Sequence, residues 1–264
     1  MLEIKNLYKT FNANTVNEKK AINDLSLTIE DGDFITVIGG NGAGKSTLLN
    51  LISGTYIPDE GQIILGGEDI SQQKEYKRAA KIGRVFQDPM TGTCGDLSIE
   101  ENLSLAKRRG KRRTLRLGLT QAEKKEYAEI LKPLNLGLEN RLSSKVGLLS
   151  GGQRQALTLL MATLVKPKLL LLDEHTAALD PKTASRVLSL TEEIIKRDNL
   201  TALMITHNMK DAIRYGNRLI MMSNGHIILD IKGEEKQNLT VNDLLQVFEK
   251  ATGLEFASDR ALLS

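Results

Sequence analysis

Apolar residues in the first third of the chain fall in short runs separated by turn residues. Leu2–Lys5, Leu25–Ile29, Phe34–Ile38 and Ile63–Leu65 are punctuated by Asp31-Gly32-Asp33 and Pro58-Asp59-Glu60-Gly61. Runs of this length, bounded by Gly, Pro and Asp, predict strands, some of them antiparallel. From Ser98 the pattern changes. Ser98-Ile99-Glu100-Glu101 and Thr120-Gln121-Ala122-Glu123 both fit the capping box, in which a hydroxyl and an acidic side chain satisfy each other's backbone amides at a helix start. A helical segment is predicted from there to about Val165. Strand and helix then alternate: Leu169–Leu172, a helix after Pro181, Ala202–Ile205, a helix near Met209–Tyr215, and Leu219–Met222. That rhythm predicts parallel α/β structure. The tail from about Gly233 predicts one helix, opened by Thr240 and Asp243 ahead of Leu244, Leu245, Val247 and Phe248, whose spacing suits docking against the body.

No Pro- or Ser-rich linker divides the 264 residues, so one composite domain is expected, with the helical segment inserted into it. Apolar residues at 41% and charged residues at 26% exclude a disordered or collagen-like chain. The net charge of +3 is too small to imply nucleic-acid or membrane binding by itself. A single cysteine, Cys94, leaves no intrachain disulfide, and the opening Met1-Leu2-Glu3-Ile4-Lys5-Asn6 lacks the apolar stretch of a secretory signal. The longest leucine run is Leu169 to Leu172, far short of a membrane span. Any service to a membrane is therefore expected from the cytoplasmic side.

Gly39-Gly40-Asn41-Gly42-Ala43-Gly44-Lys45-Ser46, followed by Thr47, fits G-x-x-x-x-G-K-[ST] between the strand Phe34–Ile38 and the helix-like Leu48, Leu49, Leu51 and Ile52. Glycines let the backbone turn with its amides inward, forming a nest that continues into the positive end of the helix. Such a loop cradles phosphates, with Lys45 reaching the β- and γ-phosphates and the Ser46 hydroxyl on Mg²⁺. An ordinary Gly-rich turn is the competing explanation, and the flanking strand and helix disfavour it.

Leu169-Leu170-Leu171-Leu172-Asp173-Glu174 reads as a buried parallel strand ending in two carboxylates. With a P-loop upstream, Asp173 is expected to hold Mg²⁺ through water, and Glu174 to turn toward the γ-phosphate and orient or deprotonate the attacking water. Helix capping is the plainer alternative for the pair. His175 follows and is read as bonding the loop rather than as catalytic.

Leu149-Ser150-Gly151-Gly152-Gln153, ahead of the helical stretch Arg154–Val165, resembles the signature motif of ABC ATPases. Together with Gln87 in Val85-Phe86-Gln87-Asp88, Ala178-Leu179-Asp180 and Thr206-His207-Asn208, the order of motifs is similar to a whole ABC nucleotide-binding subunit over roughly residues 1 to 235. The resemblance implies a P-loop NTPase (RecA-like) α/β core with an antiparallel β subdomain and an α-helical subdomain inserted at about 88–165. Residues 236–264 would be a short C-terminal helical extension.

It also implies roles. Ser150, Gly151, Gly152 and Gln153 would receive the γ-phosphate of an ATP bound on the other copy of a head-to-tail homodimer. Gln87 would ligate Mg²⁺ and begin the loop that senses the membrane partner, Asp180 would lie across the dimer interface, and His207 would hydrogen-bond the γ-phosphate. Phe11 would stack on adenine, with Tyr8 as the competing aromatic. Where many family members carry proline, this chain has His175.

The string at 173–181 resembles ATPases of bacterial uptake systems that use a binding protein, including ones associated with aromatic amino acids. The expected protein is thus the ATP-hydrolysing subunit of an importer, docked on separate integral-membrane permease subunits and served by an extracytoplasmic substrate-binding protein. It would lie at the cytoplasmic face of the membrane and bind no nucleic acid. A non-transport ABC ATPase such as a cofactor-assembly ATPase is the alternative. The run Lys107-Arg108-Arg109-Gly110-Lys111-Arg112-Arg113-Thr114-Leu115-Arg116 is either a solvated basic loop or an electrostatic contact with acidic permease loops or anionic headgroups.

Overall fold

A computed structural model describes residues 1–111 and 118–252. The chain forms two compact units, one built from residues 1–78 and the segment from 199 onward, the other from residues 79–198.

The first unit opens with β1 (Leu2–Phe11) and β2 (Lys19–Ile29), then β3 (Phe34–Ile38), α1 (Lys45–Ser53), β4 (Glu60–Leu65), β5 (Glu68–Asp69) and α2 (Glu75–Arg78). An antiparallel sheet has the order β2-β1-β4-β5, with Leu2 opposite both Ile29 and Leu65. Both β1 and β2 outrun their apolar cores, and the ladder between them shifts register near Asn6 and Asp24, whose backbones are left-handed (φ 45 and 48). Asn6 Nδ2 donates to Asp24 Oδ1 at 2.9 Å, a side-chain bond that holds the irregularity.

Arg78 ties the end of α1 to this unit. It is fully buried, and its guanidinium donates to the carbonyls of Leu51 (2.6 Å), Ile52 (3.0 Å), Ser71 (2.9 Å) and Gln73 (2.8 Å). A cation at a helix C-terminus satisfies its last carbonyls and complements the dipole.

The second unit contains β6 (Ile82–Val85), α3 (Ile99–Lys107), α4 (Gln121–Leu131), α5 (Gly151–Thr163), β7 (Leu169–Asp173) and α6 (Pro181–Arg197), with 3₁₀ turns at Lys132–Leu134, Leu138–Asn140 and Val146–Leu148. Both expected capping boxes form, at Ser98 and Thr120. The predicted helical segment is broken, however. Asn135 and Gly137 adopt left-handed backbones (φ 52 and 71) just after Pro133, and no α-helix survives between Leu131 and Gly151. Ile99, Leu103, Tyr127, Leu131, Val146 and Leu157 make the core of this helical part. β6 and β7 pair in parallel, Val85 opposite Leu172, which brings their carboxyl ends to one edge.

The chain returns to the first unit as β8 (Ala202–Ile205), α7 (Met209–Arg214), β9 (Arg218–Ser223), β10 (His226–Lys232), α8 (Glu234–Gln237) and α9 (Val241–Thr252). β3 lies in parallel between β8 and β9 and is buried along its whole length. β10 has no counterpart in the apolar pattern. It pairs antiparallel with β9 through Asn224-Gly225, whose positive φ values (50 and 79) suit a two-residue hairpin turn. α9 starts as expected, with the Asp243 carboxylate accepting from the Thr240 amide at 2.8 Å and hydroxyl at 2.7 Å.

Candidate functional site

In the first unit the P-loop leaves the end of β3 and enters α1 without any side-chain cap. Gly44 takes the N-cap position at φ 101, and a Cβ there would stand 2.5 Å from the Ala21 carbonyl oxygen, so only glycine fits. Gly44 therefore brings no capping side chain of its own to the amides of the first turn, which suits an anion-binding helix start. Lys45 is buried, and its Nζ donates to the carbonyls of Gly39 (2.6 Å) and Gly40 (3.1 Å). The ammonium is held by the loop that would present phosphates to it.

His207 follows the end of β8 and shares a small apolar space with Gly39, Gly40, Met209, Met221 and Phe248. Thr206, before it, donates its amide to the Val37 carbonyl at 3.2 Å, which fixes this turn beside β3. Phe11 ends β1, opposite Lys19 on β2. Its ring packs edge-on against Tyr56 at 5.2 Å between centroids and an interplanar angle of 72°. Tyr56 went unrecognised in the sequence. Its only signal was an aromatic three residues beyond a helix. Tyr8 differs from Phe11 in its setting: desolvation and the Asp24 carboxylate push its hydroxyl pKa up.

In the second unit Asp173 closes β7, and its Oδ2 lies 3.4 Å from an Arg84 nitrogen. Arg84 also stacks over the Phe86 ring, 4.5 Å from its centroid. The one cation inside Ile82-Gly83-Arg84-Val85 could have signalled this pairing. Glu174 has φ 45, a left-handed backbone at a non-glycine residue. Such a backbone costs on the order of 1 kcal/mol or more, and it takes the side chain out of the alternation of the strand.

Gln87 lies just beyond β6, exposed, and Gln155 Nε2 donates to the carbonyl of its neighbour Phe86 at 3.3 Å. Ser150 caps α5: its Oγ accepts from the Gln153 amide at 3.3 Å, and the Gln153 side chain returns the bond at 3.2 Å. Asp180 is the N-cap of α6, accepting from the Thr183 amide at 3.1 Å, and this bonding to Thr183 holds its carboxyl below the usual range. The two caps are neighbours. A Cβ on Gly152 would stand 2.2 Å from Thr183 Cγ2, so the glycine is what lets α5 approach α6. Ser150, Gly152, Gln153, Thr183 and Arg186 line one cavity of about 270 Å³.

Within the basic run, Lys107 pairs with Glu126 at 2.5 Å, Arg108 with Glu123 at 3.1 Å, and Arg109 donates to the Val165 carbonyl at 2.6 Å. These three side chains bond within their own unit. Arg112, Arg113, Thr114, Leu115 and Arg116 lie outside the described residues.

A strand-loop-helix phosphate nest, a buried loop lysine and an acidic strand end define a P-loop nucleoside triphosphatase. The ABC transporter family profile matches residues 22–177. A tyrosine transport ATP-binding protein of Clostridioides difficile is 50% identical over 95% of this chain and 100% of its own length. A phosphonates import ATP-binding protein of Treponema denticola is 36% identical, covering 87% of this chain and 89% of the relative. Among solved structures, the dimeric bacterial ABC transporter cassette MJ0796 aligns with a TM-score of 0.74 at 30% identity, over 88% of this chain and 98% of that one. A post-hydrolysis dimer of the same cassette, holding ADP and Pi, aligns with the same TM-score at 29% identity. The chain belongs to the ABC transporter family, and it is the ATP-binding, ATP-hydrolysing component of that family. Among the described residues no helix is long and apolar enough to cross a membrane.

Proposed function

We propose that this ATPase powers import of a small solute, an amino acid, through separate permease subunits, and works as a head-to-tail homodimer at the cytoplasmic face of the membrane with a substrate-binding protein outside. The observation that carries the substrate class is the 50% identity, end to end, with a tyrosine transport ATP-binding protein. A methionine import ATP-binding protein of Oceanobacillus iheyensis, 35% identical over 94% of this chain and 71% of its own length, supports the direction.

In this reading Gly39 to Thr47 present amides to the phosphates, and Lys45 exchanges its two carbonyl acceptors for β- and γ-phosphate oxygens. Phe11, braced by Tyr56, stacks on adenine. Glu174 accepts a proton from the attacking water, and His207 holds the γ-phosphate oxygen. The Ser150 helix start and Asp180 serve the ATP of the other copy, closing the dimer while γ-phosphate is present.

Mg²⁺ suits the donors proposed for it. Ser46, Gln87 and Asp173 each offer an oxygen, the ligand type this hard cation takes. Bound there, it would neutralise charge on the β- and γ-phosphates.

Mixing Lys45→Ala chains with Ser150→Arg chains tests the shared site. Heterodimers contain one site with both halves intact, so ATPase activity is expected to recover in the mixture although each variant alone is inactive. A mixture as inactive as its components would overturn the arrangement. Uptake of labelled tyrosine by cells lacking the gene, with and without the chain, tests the substrate class.

A further inference from the structure

The C-terminal helix reaches the P-loop. Leu244, fully buried, docks α9 among Ile38, Met209, Ala212, Leu219 and Met221. One turn further along, Phe248 lies over Gly40. A Cβ at Gly40 would stand 3.1 Å from Phe248 Cζ and 3.4 Å from Cε2, so the ring rests against the loop backbone where a side chain would otherwise be. The same ring shares its space with His207, and the cavity left between them is about 10 Å³, room for one water at most. Gly40, which meets this ring, and Gly39 before it are also the residues whose carbonyls hold Lys45 Nζ. One aromatic side chain from the extension therefore adjoins both the first turn of the P-loop and the histidine after β8.

We propose that Phe248 is a positioning residue for ATP hydrolysis: through its ring, docked α9 holds the Gly39–Gly40 turn and His207 in one mutual arrangement. The proposal rests on the reading that Lys45 and His207 serve the γ-phosphate. Phe248 itself touches no reacting atom. Close packing transmits displacement, and interiors this dense deform little. Removing the ring lets the loop and the histidine move independently, and an error of about 1 Å in such groups is enough to cost one to two orders of magnitude in rate. Ground-state binding is spread over the adenine stack and all the amides from Gly39 to Thr47, of which the Gly40 turn is one part, whereas the placing of His207 matters to the reacting γ-phosphate. The effect belongs in kcat.

The test uses the full chain and steady-state ATP hydrolysis. Phe248→Ala is expected to lower kcat about tenfold while KM for ATP stays within about threefold, and Phe248→Leu to bring kcat back to within about threefold of wild type. Leu103→Ala, in the core of the second unit, is expected to lower the melting temperature with kcat unchanged when assayed below its transition. If Phe248→Ala does not fold, Phe248→Val takes its place with the same expected loss. A kcat within twofold of wild type in folded Phe248→Ala or Phe248→Val overturns the proposal, as does an equal loss of kcat in Leu103→Ala. His207→Ala separates the two levels. An inactive His207→Ala beside a normal Phe248→Ala removes only the positioning role, whereas a fully active His207→Ala removes the reading of the site as well.

Discussion

His175 Nε2 lies 3.1 Å from Thr191 Oγ1, both groups buried, Thr191 standing past the middle of α6. The Thr191 hydroxyl spends its proton on the Val187 carbonyl at 2.8 Å, so it accepts, and His175 must carry its hydrogen on Nε2. The histidine that follows the acidic pair is thus a pin between that loop and α6, in keeping with its reading as a structural residue.

Burial pushes the His175 pKa down to about 4. In the unfolded chain the ring titrates near ~6.5, so between these values the unfolded state binds the extra proton. Stability is complete above the unfolded value and declines as pH falls toward the folded one, by up to about 3 kcal/mol. Denaturant unfolding from pH 7 to 4 should show this loss in the wild type and a shallower slope in His175→Gln, whose amide keeps a donor for Thr191 and does not titrate. Equal slopes would assign the acid sensitivity to other groups.

Arg78 gives all three of its nitrogens to carbonyls in a fully buried setting, and burial lowers its pKa to about 10. Arg78→Met would leave those carbonyls unpaired and is expected to cost about 3 kcal/mol or more. Arg78→Lys keeps the charge and loses the planar fork, so an intermediate loss is expected. Urea midpoints of the three proteins check the order.

Glu174 holds a left-handed backbone that glycine adopts without strain. Glu174→Gly is expected to keep or raise stability, by up to about 1 kcal/mol, while abolishing turnover. Glu174→Gln should retain ATP binding and lose about 10²-fold or more of the hydrolysis rate, since the amide cannot accept the proton. Single-turnover assays and thermal melts on the two variants separate strain from chemistry, and wild-type rates in Glu174→Gln would remove the base.

Arg109 reaches from beyond α3 to the Val165 carbonyl, and burial holds its pKa below the ordinary guanidinium value. Arg109→Gln should therefore destabilise the second unit by about 1–3 kcal/mol. Lys107→Gln, which breaks a partly exposed pair with Glu126, should cost under about 1 kcal/mol. Hydrogen exchange of α3 and α5 amides would report the difference. A basic run that served only an external surface would show neither effect.

The sequence by itself determined what lies within a few residues along the chain. The glycine spacing of the P-loop, the capping boxes at Ser98 and Thr120 and the Thr240–Asp243 start of α9 are local bonding patterns, and each forms where its spacing predicts. The buried leucine strand ending at Asp173 is legible for the same reason, since hydrophobicity along one strand needs no partner to be recognised. Tertiary structure decided the rest, because pairing between distant residues depends on where the chain returns. Arg84 beside Asp173, Tyr56 against Phe11, His175 on Thr191 and Phe248 over Gly40 carry no spacing signal, and each exists only because folding packs residues distant in the chain against one another.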